Sequence, residues 1–442
     1  MIRTLFAAAL LAAPAAAQDA PADPDAFRDA FLAGDLPWDA VRARAAEEGA
    51  VRLHYWGGSD LLNVWMDREV APAMEAAGID LDPVRITATK DAVDLILAEA
   101  AAGRGLGEGS VDLLWVNGEN FRTLLDADAL FGGFAPLLPE AAAGLDFSDD
   151  PRARANTRDF GTETGGAEVP WSGEQYVCAH DADRLEGAPP ATLAAMRAYL
   201  EAAPGKFAYV KPPHYLGNTF VAQVLYAAQP EGAAPFGREA SDYDAAELAA
   251  LIEPGLTWLR EIEPLLLGGP GGATRYPEDE AALDAAFLNG EIDVACKFGR
   301  YAVATGLATG AMPEGATQFV FPEGAMIANK SYLAIPANAP NPAAALVLAD
   351  WMTSVDAQAG KLAATGFPPA LDPWMLPEAD AARLAEASPG LVGVTREALD
   401  ANAAPDLHAT LVDVVEAVWL DVIERGDDAP LEEIVARALA AR

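Results

Sequence analysis

The sequence predicts an α/β protein of two lobes, each a mainly parallel sheet flanked by helices. Three observations lead there. Strands and helices alternate strictly over residues 51–116, which calls for a parallel sheet. A second alternation runs from about 170 to 320. At 442 residues and 52% hydrophobic composition, the chain is long enough for more than one core.

The first residues read as an export signal spanning 1–17. Arg3 is its positive start, Leu5–Ala13 its apolar centre, and Ala15-Ala16-Ala17 a small-residue cleavage site before Gln18. The apolar stretch is too short to span a bilayer, and no later stretch is long and charge-free enough to do so. A periplasmic location follows as an expectation. Residues 18–50 are acidic and alanine-rich, and Phe27, Phe31, Val41 and Ala45 hint at short helices in an N-terminal extension.

From residue 51 the elements come in order. Val51–Trp56 reads as a strand, and Leu61–Met74 as a helix from its apolar spacing. Pro83–Thr87 is a second strand. Lys90–Ala102 is a second helix, with Val93, Ile96 and Leu97 on one face, Thr89 as N-cap and Gly103 past its end. The unbroken run Val111–Val116 suits a strand buried on both faces. In the second half, Gln175–Ala179, Phe207–Val210 and Ile292–Lys297 read as strands. Helices are expected from Asn218 or Thr219 and over Glu278–Leu288. A strand ends at Ile335, and a helix opens at Pro342 with Asn341 as cap. Leu411, Val414, Val415, Val418 and Val422 form the apolar stripe of a C-terminal helix.

Open parallel sheets bind ligands at the carboxyl ends of their strands. Four glycine-bearing junctions stand there: WGGSD at 56–60, VNGEN at 116–120, YLGN at 215–218 and KFGRY at 297–301. In the first, Gly57 and Gly58 let backbone approach a ligand, Trp56 offers a flat wall, and Ser59 and Asp60 open a helix N-terminus. The plainer alternative is that Ser59 or Asp60 only caps the helix and Trp56 is core. The ligand-binding set expected on this reasoning is Trp56, Gly57, Gly58, Ser59, Asp60, Asn117, Gly118, Glu119, Asn120, Trp171, Ser172, Glu174, Tyr215, Asn218, Thr219, Lys297, Arg300 and Tyr301. Tyr176 joins the cleft aromatics, and Lys90 and Arg122 lie near the first-lobe junctions.

Several function classes are excluded or weakened. A formal net charge of −38 opposes binding to nucleic acid or to an anionic membrane surface. The glycine-rich GRGLGEGS at 103–110 follows a helix and opens a strand, the reverse of a phosphate loop. His54, His180, His214 and His408 have no zinc-site spacing, and no GxSxG elbow occurs, so neither a metal, a cofactor nor a catalytic residue is expected. Cys178 and Cys296 could pair across a loop of 118 residues, worth ~4–5 kcal/mol of chain entropy, or stand as two buried thiols.

The segments VDLLWVNGENF, LNGEIDVACKFG and FPEGAMIANKSYLAIPANAPNPAAALVLADWMTSVDAQ resemble family 1 extracellular solute-binding proteins. The first lobe, with WGGSDLLNVWMDREVAP, is similar to the YnjB-like branch. The resemblance implies the type II periplasmic-binding-protein fold, with hinge strands between lobes. It places lobe 1 at 51–168 and 323–360, and lobe 2 at 169–322 and 361–442. It implies a monomeric receptor that closes around a small molecule and presents it to the permease and ATPase of an ABC importer. Aromatics beside Asp60, Glu119 and Glu174 suit a thiamine-like or polyamine-like cation. A sugar, or a small anion held by Lys297 and Arg300, is the alternative. An exported enzyme on the same fold and a sensory domain without a ligand are the competing classes.

Overall fold

The computed structural model describes residues 19–185, 187–321 and 324–441. The expected export signal lies outside them. Two short helices come first, α1 Pro24–Leu32 and α2 Trp38–Glu48. Phe27, Phe31, Val41 and Ala45 are all buried in the first apolar cluster. The extension is therefore part of that core, and Glu48 accepts a hydrogen bond from Ala344 N, 2.8 Å away, at the start of a helix near the chain's other end.

Strand β1 Ala50–Trp56 leads into a continuous helical segment, α3 Asp60–Trp65, a π turn and α4 Ala71–Ala76. Next come β2 Asp80–Ile86, α5 Thr89–Ala101, β3 Leu113–Val116 and α6 Glu119–Asp126. Thr89 is the first residue of α5 rather than its cap; its hydroxyl donates weakly to Trp115 O at 3.4 Å. β2 and β3 both pair parallel with β1. Leu113 enters one apolar cluster while Leu114 and Val116 enter another on the opposite face. Short helices α7 Pro139–Gly144 and α8 Arg154–Thr157 and the hairpin β4 Arg158–Asp159 with β5 Thr162–Glu163 complete this part.

The long β6 Glu168–Asp181 crosses between the lobes. Val169 and Trp171 belong to the first cluster and Tyr176 onward to the second. The second lobe contains α9 Leu193–Ala202, α10 Tyr215–Ala227, α11 Ala245–Ile262, α12 Glu280–Leu288, β7 Val294–Phe298, α13 Ala302–Thr309 and β8 Ala316–Phe319. Its sheet is mixed rather than mainly parallel, because β7 and β8 both run antiparallel to β6. The strand expected at 207–210 is reduced to one parallel bridge, Phe207 to Val294. α10 begins at Tyr215, with His214 as cap, three residues before the expected start. Cys178 and Cys296 are register partners on β6 and β7 and are joined by a disulfide.

β9 Met326–Ala334 is the return crossing, with Met326 and Ile327 in the second cluster and Leu333 in the first. The expected boundary at 323 falls outside the described residues. α14 Pro342–Thr353, α15 Val355–Thr365 and α16 Glu378–Ala387 all pack with the first lobe, Leu384 of α16 being buried there. The last crossing therefore lies between Leu384 and Leu391, which packs on the second cluster, and not at 360. The physical reason is that α15 packs on α3 and α16 packs on α15. α17 Arg396–Ala401, β10 Ala403–Ala404, α18 Ala409–Trp419 and α19 Leu431–Ala440 finish the second lobe, and Leu411, Val414, Val415, Val418 and Val422 are buried as expected. Among the described residues, no helix is long and apolar enough to cross a membrane.

Candidate functional site

The four junctions are linked by ring contacts, hydrogen bonds and charge interactions. At the first, Gly57 N donates to Ile86 O at 3.1 Å, and Asn63 Nδ2 holds Gly57 O at 2.9 Å. A Cβ on Gly58 would lie 2.3 Å from the Trp56 ring, so the glycine is what lets the indole lie across its own turn. Ser59 caps α3 by accepting from Leu62 N at 3.3 Å, and Asp60 opens the helix.

Trp56 meets Trp115 edge-on, with ring centroids 6.3 Å apart, and Trp115 meets Trp171 edge-on at 4.8 Å. Trp115 stands just before the second junction, so these rings join it to the first. There Gly118 has φ of 61°, its Cβ position faces the Phe160 ring at 3.0 Å, and its N–H donates to the Asp159 carboxylate. This turn aims Glu119 across to the second lobe. Burial pushes its carboxyl up to about 7, and Asp413 and Glu416 of α18 push the same way. Asn117 is half-buried beside it, and Asn120 Nδ2 donates to Glu119 at 2.9 Å.

Glu416 in turn accepts from Asn218 Nδ2 of the third junction at 2.9 Å. Tyr215 there stacks between His214 and Phe298, at 4.5 and 6.3 Å, and its hydroxyl donates to Glu280 at 3.1 Å. It remains 43% exposed. Phe298 belongs to the fourth junction. Lys297 is bound by Glu280 at 3.0 Å and Asp284 at 2.7 Å; burial opposes its charge, but the two carboxylates outweigh it and hold the ammonium above its ordinary range. Arg300 donates to Gln175 at 2.9 Å and pairs with Asp400 at 2.6 Å.

Gln175 and Glu174 are neighbours on β6. Burial raises Glu174 to about 8, with Lys361 opposing and Glu280 adding. Lys361, fully buried on α15, donates to Trp171 O at 2.6 Å and Pro368 O at 3.1 Å and sits 4.8 Å from the Trp171 ring centre. Burial pushes its ammonium down to about 7, with Glu174 opposing. Lys361 and Trp171 lead back to Trp115, while Glu119 and Glu416, and Glu174 and Lys361, act on one another through space rather than by contact.

Several expected residues are buried or point elsewhere. Trp171 is fully buried and supports Trp115 from behind. Ser172 is buried and donates to Pro368 O, which ties β6 to the segment after α15. Thr219 spends its hydroxyl on Tyr215 O inside α10. Tyr176 is buried, donating to Cys296 O, and Tyr301 is 3% exposed under α13. Lys90 pairs with Asp94 on the surface. Arg122 points into a separate groove of about 610 Å³, where Arg122, Arg158 and Arg238 are matched by Asp126, Glu239, Glu163 and Glu247.

Sequence reasoning missed Trp115, Phe298, Glu280, Asp284, Glu416 and Lys361. Lys361 carried a readable signal: it lies on the helix face of Ala357, Gln358, Leu362 and Thr365, all buried. Trp115 was hidden in a uniformly apolar strand. Among the described residues, no group of three or more His, Cys, Asp or Glu is arranged to hold a metal.

Comparisons with known proteins agree with this architecture. A family model of bacterial extracellular solute-binding proteins matches residues 70–417. Protein YnjB of Escherichia coli (strain K12) is 34% identical over 392 residues, covering 87% of this chain and 93% of its own. A solved chitin oligosaccharide binding protein superposes with a TM-score of 0.62 at 18% identity, covering 88% of this chain and 98% of its own. The GacH receptor of Streptomyces glaucescens GLA.O, solved unliganded and with acarbose, gives 0.62 at 15% identity, covering 89% and 97%. At those identities the two structures speak for the shared two-lobed fold.

Proposed function

Since the chain belongs to the bacterial extracellular solute-binding proteins, we propose that it is the periplasmic receptor of an ABC importer for a small organic cation, thiamine-like or polyamine-like. One observation carries the choice of cation. Lys297 and Arg300 are already paired with carboxylates, whereas Glu119 forms no ion pair among the described residues. Lys297 is held by Glu280 and Asp284, Arg300 by Asp400, and Lys361 by backbone carbonyls. An anion would have to break those pairs, while a cation supplies the missing charge beside the flat faces of Trp56 and Trp115.

On this reading Trp56, Gly57, Gly58, Asn117, Glu119, Glu174, Tyr215 and Asn218 contact the ligand, and β6 and β9 act as hinges between open and closed lobes. Closure removes water from the carboxylates, so a ligand without matching charge leaves them unpaired. The permease then reads the closed shape. A sugar is the second reading, favoured by the perpendicular Trp56–Trp115 pair beside Asn117 and Asn218.

A thermal-shift screen against thiamine, putrescine, spermidine, maltose and phosphate tests the assignment. A ligand at 100 times its Kd adds ~2.7 kcal/mol to stability. Amines or thiamine raising the melting temperature is the expected result. A response to saccharide or phosphate alone overturns the cation assignment and leaves the receptor role standing.

A further inference from the structure

We propose that the tip of the β4–β5 hairpin, Asp159-Phe160-Gly161, is a positioning element that couples the second lobe to the junction at 116–120. This rests on the receptor reading, in which Asn117 and Glu119 of that junction contact the ligand, and adds how movement of the other lobe reaches them. The buried Asp159 side chain accepts from Gly118 N, and the Phe160 ring lies 3.0 Å from where a Gly118 Cβ would stand. Gly118 is the N-cap of α6, so both contacts fix the turn that presents Glu119. On its other side the tip holds the second lobe. Phe160 O accepts from Ala409 N at 2.7 Å, at the start of α18, and the ring packs on the second apolar cluster. A Cβ on Gly161 would lie 2.5 Å from the His408 ring, so the tip and the α18 entrance touch directly. Tyr332 of the crossing strand β9 donates to Ala155 O at 2.7 Å and Arg158 O at 3.2 Å, which anchors the root of the hairpin to the hinge.

The backbone of Phe160 supplies a second, independent observation. Its φ is 43°, in a region that a bulky side chain avoids. Such a conformation costs energy, persists only where the surroundings hold it, and gathers at sites where strain serves a function. Here one residue gives its carbonyl to α18 and its ring to Gly118 at once. The ion pair of Arg122 with Glu239, 3.4 Å apart on the groove beside the tip, also crosses between the lobes. Its side chains are 28% and 48% exposed, so solvent screens it and it contributes little. The hydrogen bond and the ring contact therefore carry the coupling, as packed side chains and backbone bonds do between sites. When the second lobe turns about β6 and β9, the tip follows α18 and moves Gly118, or it lets one of them go.

Native-state hydrogen exchange of the full mature chain, without ligand, tests the coupling. In the wild type the amides of Gly118 and Ala409 should share one opening energy and one urea slope, both smaller than those of global unfolding. Asp159→Ala removes the acceptor from Gly118 N and should speed exchange of both amides roughly 10-fold, as loss of a buried hydrogen bond does. Asp159→Asn, whose side-chain oxygen can still accept, should restore most of the protection. Phe160→Gly keeps the turn, because glycine takes a positive φ freely, and removes the ring; both amides should again speed. Glu239→Gln is the control and should leave both within about 2-fold of wild type. Separate openings of Gly118 and Ala409 in the wild type, or opening only by global unfolding, overturn the coupling even where a variant does not fold. A response of Gly118 alone to Asp159→Ala, or one to Glu239→Gln of equal size, overturns it too. Since no ligand enters, such a failure leaves the receptor reading standing, and the thermal-shift screen tests that reading by itself.

Discussion

Gly58→Ala isolates the aromatic wall by steric means alone. An added Cβ would lie 2.3 Å from Cζ2, 2.5 Å from Cε2 and 3.0 Å from Nε1 of Trp56. Ordinary carbon contacts begin near 3.5 Å, so the indole must withdraw by about 1 Å. Trp56 is half-buried and can move outward, so the cost to folding should stay within about 1 kcal/mol. What is lost is its placement against Trp115, at present 6.3 Å between centroids. A cation over a displaced ring forfeits ~1–2 kcal/mol, which is a roughly 5–30-fold weaker Kd. Intrinsic fluorescence titrated with spermidine and thiamine reads the affinity, and a melting curve reads the fold. Gly271→Ala, whose Cβ would meet nothing within 4 Å, is the control. A Gly58→Ala protein that melts and binds like the control refutes the wall.

Three further outcomes follow from the geometry. Removing the Cys178–Cys296 bridge releases a loop of 118 residues, and calorimetry with and without reductant should show a loss approaching ~5 kcal/mol in the second lobe; unchanged melting would contradict it. Phe27→Ala, at a fully buried position, should cost ~3–5 kcal/mol in chemical denaturation, whereas a dispensable N-terminal extension would lose nothing. Glu119, Asp406 and Glu174 have folded-state pKa values of about 7, 7 and 8 against ordinary values near 4, so the folded state holds their protons more tightly than the unfolded chain does. Their contribution to stability is therefore full below about pH 4 and lost as pH rises through 7 to 8. Spermidine binding should run the other way, strengthening from pH 6 to 8 as the carboxylates ionise, and a flat affinity profile would refute the assignment.

Part of the candidate site was legible because three of its segments lie at the ends of β1, β3 and β7, where one local rule applies. WGGSD, VNGEN and KFGRY each announce a turn, whereas YLGN is the first turn of α10; the parallel order of β1, β2 and β3 brings the first two to the same edge. What stayed hidden depends on partners far along the chain. Lys361 shares a helix face with Ala357 and Leu362, but its partner appears only when α15 is packed against β6, 190 residues earlier, where Trp171 O receives it. Glu416 reads as the polar face of an amphipathic helix until the second lobe folds it opposite Glu119. The extension's apolar spacing marked helices, but their partner is α14, whose Ala344 bonds Glu48 across 296 residues. Thr219 and Tyr301 were misjudged for the converse reason. Their residue types suit a cleft, yet a helix start three residues earlier and the burial of the α13 entrance turn them inward.

Hydrogen exchange of the amides at 56–60, 116–120, 215–218 and 297–301, with and without a ligand identified by thermal shift, tests the two-lobed capture most directly. The account predicts that all four segments slow together when the ligand is added. Slowing confined to one lobe, or to the groove around Arg122 and Arg238, would contradict it.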